Sequence, residues 1–199
     1  GEKAQIEGMM AGTQDLGFLT NATLANWIPS FMAVDLPYLI KSEADADRIL
    51  GGDVGKALFD LLPSKNIYGL AWGENGFRHF TNSRRSLISP DDLKGLKIRS
   101  MENKMFIDMF RLMGCDPTPM AFTEVYTGLQ QKTVDGQENP TSIISANRFY
   151  EPQKFLSLTA HAYSPFIIYA SKGSFDKLPA DIQKIIKEAA LEAGAYQRK

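Results

Sequence analysis

At 199 residues, with 44% hydrophobic and 23% charged side chains, the chain can bury a substantial core, as one large domain or two small lobes, and falls outside the disordered class. Its 22 basic and 23 acidic residues nearly cancel, and no basic block or aromatic-basic interleaving offers a surface for nucleic acid. A single cysteine, Cys115, excludes an intrachain disulfide and leaves the redox compartment open, and no apolar run approaches the roughly 20 residues that span a bilayer.

From Glu2 to Gly12 the pattern is helical, and Thr13 to Thr20 reads as a turn entering a short strand that ends in small polar residues, Thr20 and Asn21. Ala25 to Ile40 mixes aromatics and prolines, as loop and short helix. A helix is expected from about Ser42 to Leu50, then a glycine break, then a second helix from Asp53 to Leu62, stopped by Pro63. IYGLAWGE is a buried strand ending at Trp72, after which a glycine turn carries Arg78 and His79.

Ser89 is suited to cap a short helix in SPDDLKG, with proline at its first position. LKIRS is a strand of period two with Arg99 at its end. The helix after it carries Met105, Met109, Leu112 and Met113 as a stripe and closes at Gly114. A second strand-helix unit follows, with Thr123 as cap of EVYTGLQQKTV and DGQEN as the exit turn. Pro140 starts another helix, KFLSLT and PFIIYAS are strands, and the last helix is amphipathic, with Ile182, Ile185, Ile186, Ala189 and Ala193 on one face. Strand-helix units of this kind belong to parallel or mixed sheets, hence an α/β fold.

An arginine at a strand end offers a planar fork of donors that fits a carboxylate bidentately. KGLKIR, PTPMAFTEVYTGLQ (Pro117 to Gln130) and VDGQENP, with WGENGFRHFTNSRR (Trp72 to Arg85) and LPADIQKIIKEAA (Leu178 to Ala190), run in an order that resembles the solute-binding subunits of tripartite ATP-independent periplasmic (TRAP) transporters, the DctP-like family. The resemblance implies a two-lobe, periplasmic-binding-protein-like α/β fold with mixed sheets, hinge strands and an interlobe ligand cleft. Residues 1–80 would be mainly lobe I, and residues 81–199 mainly lobe II with hinge crossings and a return to lobe I. It also implies a chain trimmed at both ends, since GEKAQIEGMM contains no apolar signal core and the family's signal peptide and first strand precede the matching position.

As the resemblance implies, Arg99 makes the two-pronged salt bridge with a substrate carboxylate, Arg78 adds a second positive group, Asn139 donates from the other lobe, and Phe122 packs on the ligand's carbon skeleton. Trp72, Asn75, Glu102, Asn103, Gln137 and Tyr163 lie beside these positions as candidate selectors of hydroxyl or amine groups, and Thr20, at its strand terminus, is a further ligand-binding candidate. Each has a plainer reading: a surface ion pair for Arg99, surface solvation for Arg78, a turn asparagine bonded to its own backbone for Asn139, plain core for Phe122, and a structural role for the others. The expected function is periplasmic capture of a small organic acid and its delivery to membrane permease subunits. No cofactor, metal or nucleic-acid partner is expected. The chain's two histidines form no HExxH or Cys/His cluster, and GxSxG, P-loop and Rossmann fingerprints are missing. The competing classes are an enzyme acting on a similar acid, with His79 or Glu102 as base, and a sensory ligand-binding domain.

Overall fold

The structure, a computed structural model, describes residues 1–198. The chain divides into two compact units: a terminal unit of Glu2–Asp35, Leu39–Asn75 and the chain from Ser164 onward, and a central unit of Gly1, Leu36–Tyr38 and Gly76–Tyr163.

In the terminal unit, α1 (Glu2–Ala11) leads to β1 (Leu16–Thr20) and the short α2 (Asn21–Leu24), then a 3-10 turn at Pro29–Asp35. α3 (Glu43–Leu50) begins where Ser42 Oγ accepts from Asp45 N at 3.1 Å, and α4 (Asp53–Leu61) follows after Gly51 and Gly52. The two helices meet tightly at Gly55, where an added Cβ would fall 1.8 Å from Leu50 O. A 3-10 turn, Leu62–Lys65, absorbs Pro63 before β2 (Ile67–Phe77). That strand runs past Trp72, the end expected from sequence, because Gly76 adopts φ 110° and lets the backbone kink without leaving the extended path.

The central unit opens with β3 (His79–Asn82) and continues through a 3-10 turn at Pro90–Leu93, β4 (Lys97–Ser100), α5 (Lys104–Leu112), β5 (Asp116–Pro119), α6 (Val125–Gln130), β6 (Gly136–Asn139), α7 (Thr141–Ala146) and β7 (Phe155–Ser157). β8 (Tyr163–Ser171) returns the chain to the terminal unit, which ends in α8 (Lys172–Phe175) and α9 (Ala180–Gln197). α6 is shorter than its sequence pattern, and Glu124 rather than Thr123 precedes it, because residues 122–124 form a 3-10 turn first.

The terminal sheet has strand order β1-β8-β2, with β1 antiparallel to β8 from Leu16↔Ala170 to Thr20↔Phe166. Its core gathers Leu70, Ala71, Ala170, Phe175 and Ala190. α9 docks through Ala190 and Gly194, where an added Cβ would lie 2.5 Å from Trp72 O. The apolar face expected to be buried is instead largely open, with Ile185 57% exposed. Only a side chain as small as Gly194 allows this approach, so the small residues set the contact. A groove of about 420 Å³ beside it is lined by Leu16, Gly17, Phe18, Ile168, Ala193, Gly194 and Gln197.

The central sheet is mixed, in order β5-β4-β6-β3-β7. β4 is parallel to β5 (Arg99↔Thr118) and to β6 (Ile98↔Gly136), while β3 is antiparallel to β6 (His79↔Asn139) and to β7. On the stripe of α5, Phe106, Met109 and Phe110 face the core and Leu112 is 89% exposed, so the aromatics, not the methionine periodicity, mark the buried face. This topology places the carboxyl ends of β4, β5 and β6 on the edge where β3 begins. Such edges are where α/β sheets assemble ligand sites. Among the described residues, no helix is long and apolar enough to cross a membrane.

Candidate functional site

Arg78 stands just before β3, Arg99 near the end of β4, Asn139 at the end of β6, and Phe122 just after β5. The sheet register therefore gathers at one edge of the central unit four residues spread over more than forty positions of sequence. Both arginines are buried, Arg78 to 1% and Arg99 to 3% exposure. Burial of a guanidinium is costly unless acceptors replace its water, so each must be held by designed partners.

Arg78 is held by Glu138, the residue before Asn139. Arg78 Nε donates to Glu138 Oε2, and Nη2 donates to Glu138 Oε1 at 2.9 Å, to Glu138 O at 2.8 Å and to Asn139 Oδ1 at 3.2 Å. The guanidinium also lies over the Phe106 ring, 5.4 Å from its centroid. Nη1 is buried without a hydrogen-bond partner among the described residues. Glu138 is itself fully buried, and its Oε2 lies 3.3 Å from His161 Nε2. Burial alone would raise the Glu138 pKa, but the Arg78 charge and the bonds from His161 and Arg78 outweigh it and bring the carboxyl down to about 2. His161 is stacked on Phe80 at 4.5 Å, and its Nδ1 lies 2.8 Å from Thr159 Oγ1.

A second chain of bonds orients Asn139. Its Oδ1 faces Arg78, and its Nδ2 donates to Gln137 Oε1 at 2.6 Å. Gln137 Nε2 donates to Thr81 Oγ1 at 2.9 Å, and Thr81 Oγ1 donates to Gln153 Oε1 at 3.0 Å. With oxygen and one hydrogen engaged, the amide keeps its second N–H as a donor. Arg99 Nε donates to Met120 O at 3.0 Å, which fixes the side chain against the segment that carries Phe122. Phe122 is half-buried, 5.9 Å from Phe149, at the margin of a cluster of Val125, Leu129, Val134, Ile144 and Phe149.

The remaining candidates are distributed between the units. In the central unit, Asn103 caps α5, its Oδ1 accepting from Met105 N at 2.8 Å; Glu102 is exposed, and Tyr163 is buried with its ring edge against Phe77 at 5.3 Å. In the terminal unit, Thr20 Oγ1 donates to Glu2 Oε2 at 2.7 Å, and Thr23 Oγ1 donates to the same oxygen at 2.7 Å. Trp72 stacks on Phe59 at 4.6 Å, and Asn75 Nδ2 donates to Ser164 Oγ at 3.4 Å. Glu138, His161, Thr81 and Gln153 escaped sequence reasoning. The one signal for Glu138 was its place between two amides in QEN, since a charge inside a strand with no exposed position needs a buried partner.

Among the described residues no group of three or more His, Cys, Asp or Glu side chains is arranged to hold a metal. Burial raises the Cys115 thiol to about 11, so it lacks the thiolate character of a nucleophile. The apolar groove of the terminal unit carries no charged side chain and does not suit an anion.

The family of bacterial extracellular solute-binding proteins, family 7 (DctP), matches the sequence over residues 1–199. The chain is 43% identical over 197 residues to the 2,3-diketo-L-gulonate-binding periplasmic protein YiaO of Escherichia coli (strain K12), covering 99% of this chain and 60% of that protein. It is similar to the sugar acid binding protein DctPAm of Advenella mimigardefordensis strain DPN7T in complex with galactonate, with 43% identity, a TM-score of 0.97, and coverage of 99% of this chain and 64% of that one. A TRAP periplasmic solute binding protein of Polaromonas sp. JS666 bound to D-erythronate gives 44% identity and a TM-score of 0.97 over 100% of this chain and 65% of its own. The chain thus spans about three-fifths of the length of the curated relatives it matches. Its α/β architecture and mixed sheet are those of the TRAP solute-binding proteins, and the chain belongs to the family-7 bacterial extracellular solute-binding proteins, the DctP family.

Proposed function

We propose that the protein is the solute-binding subunit of a TRAP transporter, which captures a small organic acid in the periplasm and delivers it to membrane permease subunits. The observation that carries this reading is the convergence of Arg99, Arg78 and Asn139 on one edge of the central sheet, each oriented by a hydrogen-bonded partner. Donors fixed before a carboxylate arrives lose little freedom on binding it and replace the water it gives up. In this reading Arg99 is the clamp, Asn139 and Arg78 supply further N–H groups, and Phe122 is the apolar wall. Sugar acids are the favoured class, because the relatives' bound molecules, galactonate and D-erythronate, each join a carboxylate to several hydroxyls.

Isothermal titration of the full-length gene product with galactonate and D-erythronate tests the assignment. Arg99→Ala is expected to weaken the tighter acid about a hundredfold or more, and Arg99→Lys to remain about tenfold impaired because a point charge lacks the fork. Wild-type affinity in Arg99→Ala would reject the clamp.

A further inference from the structure

Arg78 and Glu138 form one buried pair in which the charges cancel. Glu138 engages Nε and Nη2 together, its backbone oxygen takes Nη2 as well, and neither side chain reaches solvent. Arg78 therefore brings N–H groups to the sheet edge without net charge behind them. We propose that Glu138 determines which acids the protein accepts: by neutralising Arg78 it reserves the site for monoanionic hydroxy acids and disfavours their dianionic counterparts.

The argument rests on the proposed function and extends it to the charge of the substrate. A second carboxylate must be stripped of water, and a buried site repays that only with a further cation whose charge is not already used. Arg78 is the obvious second cation by sequence, but its partner carboxylate faces any incoming anion through the same guanidinium. The carboxyl's depressed pKa, about 2, keeps it ionised near neutral pH, so it faces Arg78 as a carboxylate. Asn139 adds only a neutral donor, and its oxygen is turned toward Arg78.

The test compares acids of equal carbon number that differ by one carboxylate: galactonate with galactarate, and erythronate with meso-tartrate. Titrations of the full-length gene product are made at pH 8, where an ordinary imidazole is neutral. Wild type is expected to favour the monoacid of a pair by about tenfold or more, and Glu138→Gln, which uncovers the Arg78 charge, to move that ratio about tenfold or more toward the diacid. If Glu138 served only to position Arg78, both acids would weaken alike and the ratio would stay fixed, which overturns the proposal. The double variant Arg78→Gln/Glu138→Gln removes the pair as a neutral whole; it weakens both acids but keeps the wild-type ratio. A shifted ratio in the double variant refutes the proposal even if Glu138→Gln does not fold. Wild type that binds diacid as well as monoacid defeats this inference and leaves the proposed function standing, whereas binding of no acid in either pair defeats both.

Discussion

The central unit buries Arg78, Arg99 and Glu138 at one end of its sheet, whereas the terminal unit closes on an apolar core of Leu70, Ala71, Ala170, Phe175 and Ala190. In the terminal unit Lys172 pairs with Asp176 at the surface, at 2.5 Å with side chains 38% and 43% exposed, and Arg198 with Glu74 is only partly covered, at 15% and 19%. Surface pairs contribute roughly 0 to 1 kcal/mol, while breaking a buried one strands a charge. The contrast teaches where the molecule buries arginines: in the unit whose sheet edge presents donors, whereas the buried carboxyl of the terminal unit, Asp35, accepts from the Asn21 amide at 3.0 Å. The terminal unit can lose a surface charge with little consequence. The central unit cannot lose Glu138.

Glu138→Gln should therefore produce the largest change in stability. Its folded pKa, about 2, lies below the ordinary glutamate value of 4.5, so the carboxylate contributes stability that is complete above pH 4.5 and is lost as pH falls through about 2. At pH 7 the variant should be less stable by about 3 kcal/mol in urea denaturation, and the difference should shrink on acidification because both proteins then hold a neutral group at that position. An undiminished gap at pH 2 would show that the loss comes from shape and not from charge.

Gly55→Ala is the matching disruption of the terminal unit, where the damage is steric. An added Cβ at 1.8 Å from Leu50 O forces α3 and α4 apart, at an expected cost of about 2 kcal/mol, with no dependence on pH between 2 and 7. Acid affinity of the folded variant should match wild type in calorimetry, since the donors belong to the central unit. A parallel loss of affinity would mean that the two units do not divide packing from recognition in this way.

How far the sequence revealed this division depends on the kind of signal. Strand-helix alternation, glycine breaks and the capping serine at Ser89 are local, and they placed most elements, because backbone preference acts over a few residues. LKIRS reads as a strand with Arg99 at its end and is β4, whereas DGQEN reads as an exit turn and its last four residues are instead β6, which puts Asn139 in the same unit as Arg99 and not in the other lobe, because strand pairing with β3 is not visible locally. Glu138 was not legible, because its meaning is a contact with Arg78, sixty positions away, made by the register of β3 and β6. The face of α9 failed for a related reason: apolar periodicity says which face could be covered, whereas Ala190 and Gly194 decide which one approaches Trp72. The extension of β2 past Trp72 was hidden because Gly76 reads as a turn in sequence and serves as a kink in the strand.

The smallest expected effect concerns the rim of the charged network. Both histidines of the chain, His79 and His161, fall in the central unit, so any dependence of stability on pH near neutrality should originate there. His79 Nδ1 accepts from Ala160 N at 3.0 Å, which requires the neutral ring, and burial followed by the nearby His161 lowers its pKa below 6.5. The unfolded chain then binds the proton more readily than the folded one, so this contribution is full above pH 6.5 and declines as pH falls below it. Because His79 is only half-buried and its ring keeps part of its hydration, the change should be small. In His79→Gln the amide oxygen can still accept from Ala160 N without titrating, so denaturation midpoints between pH 7 and 5 should flatten while Glu138 continues to dominate below pH 4.5. A slope near neutrality that survives the substitution would reject His79 and its contact with Ala160 as the source.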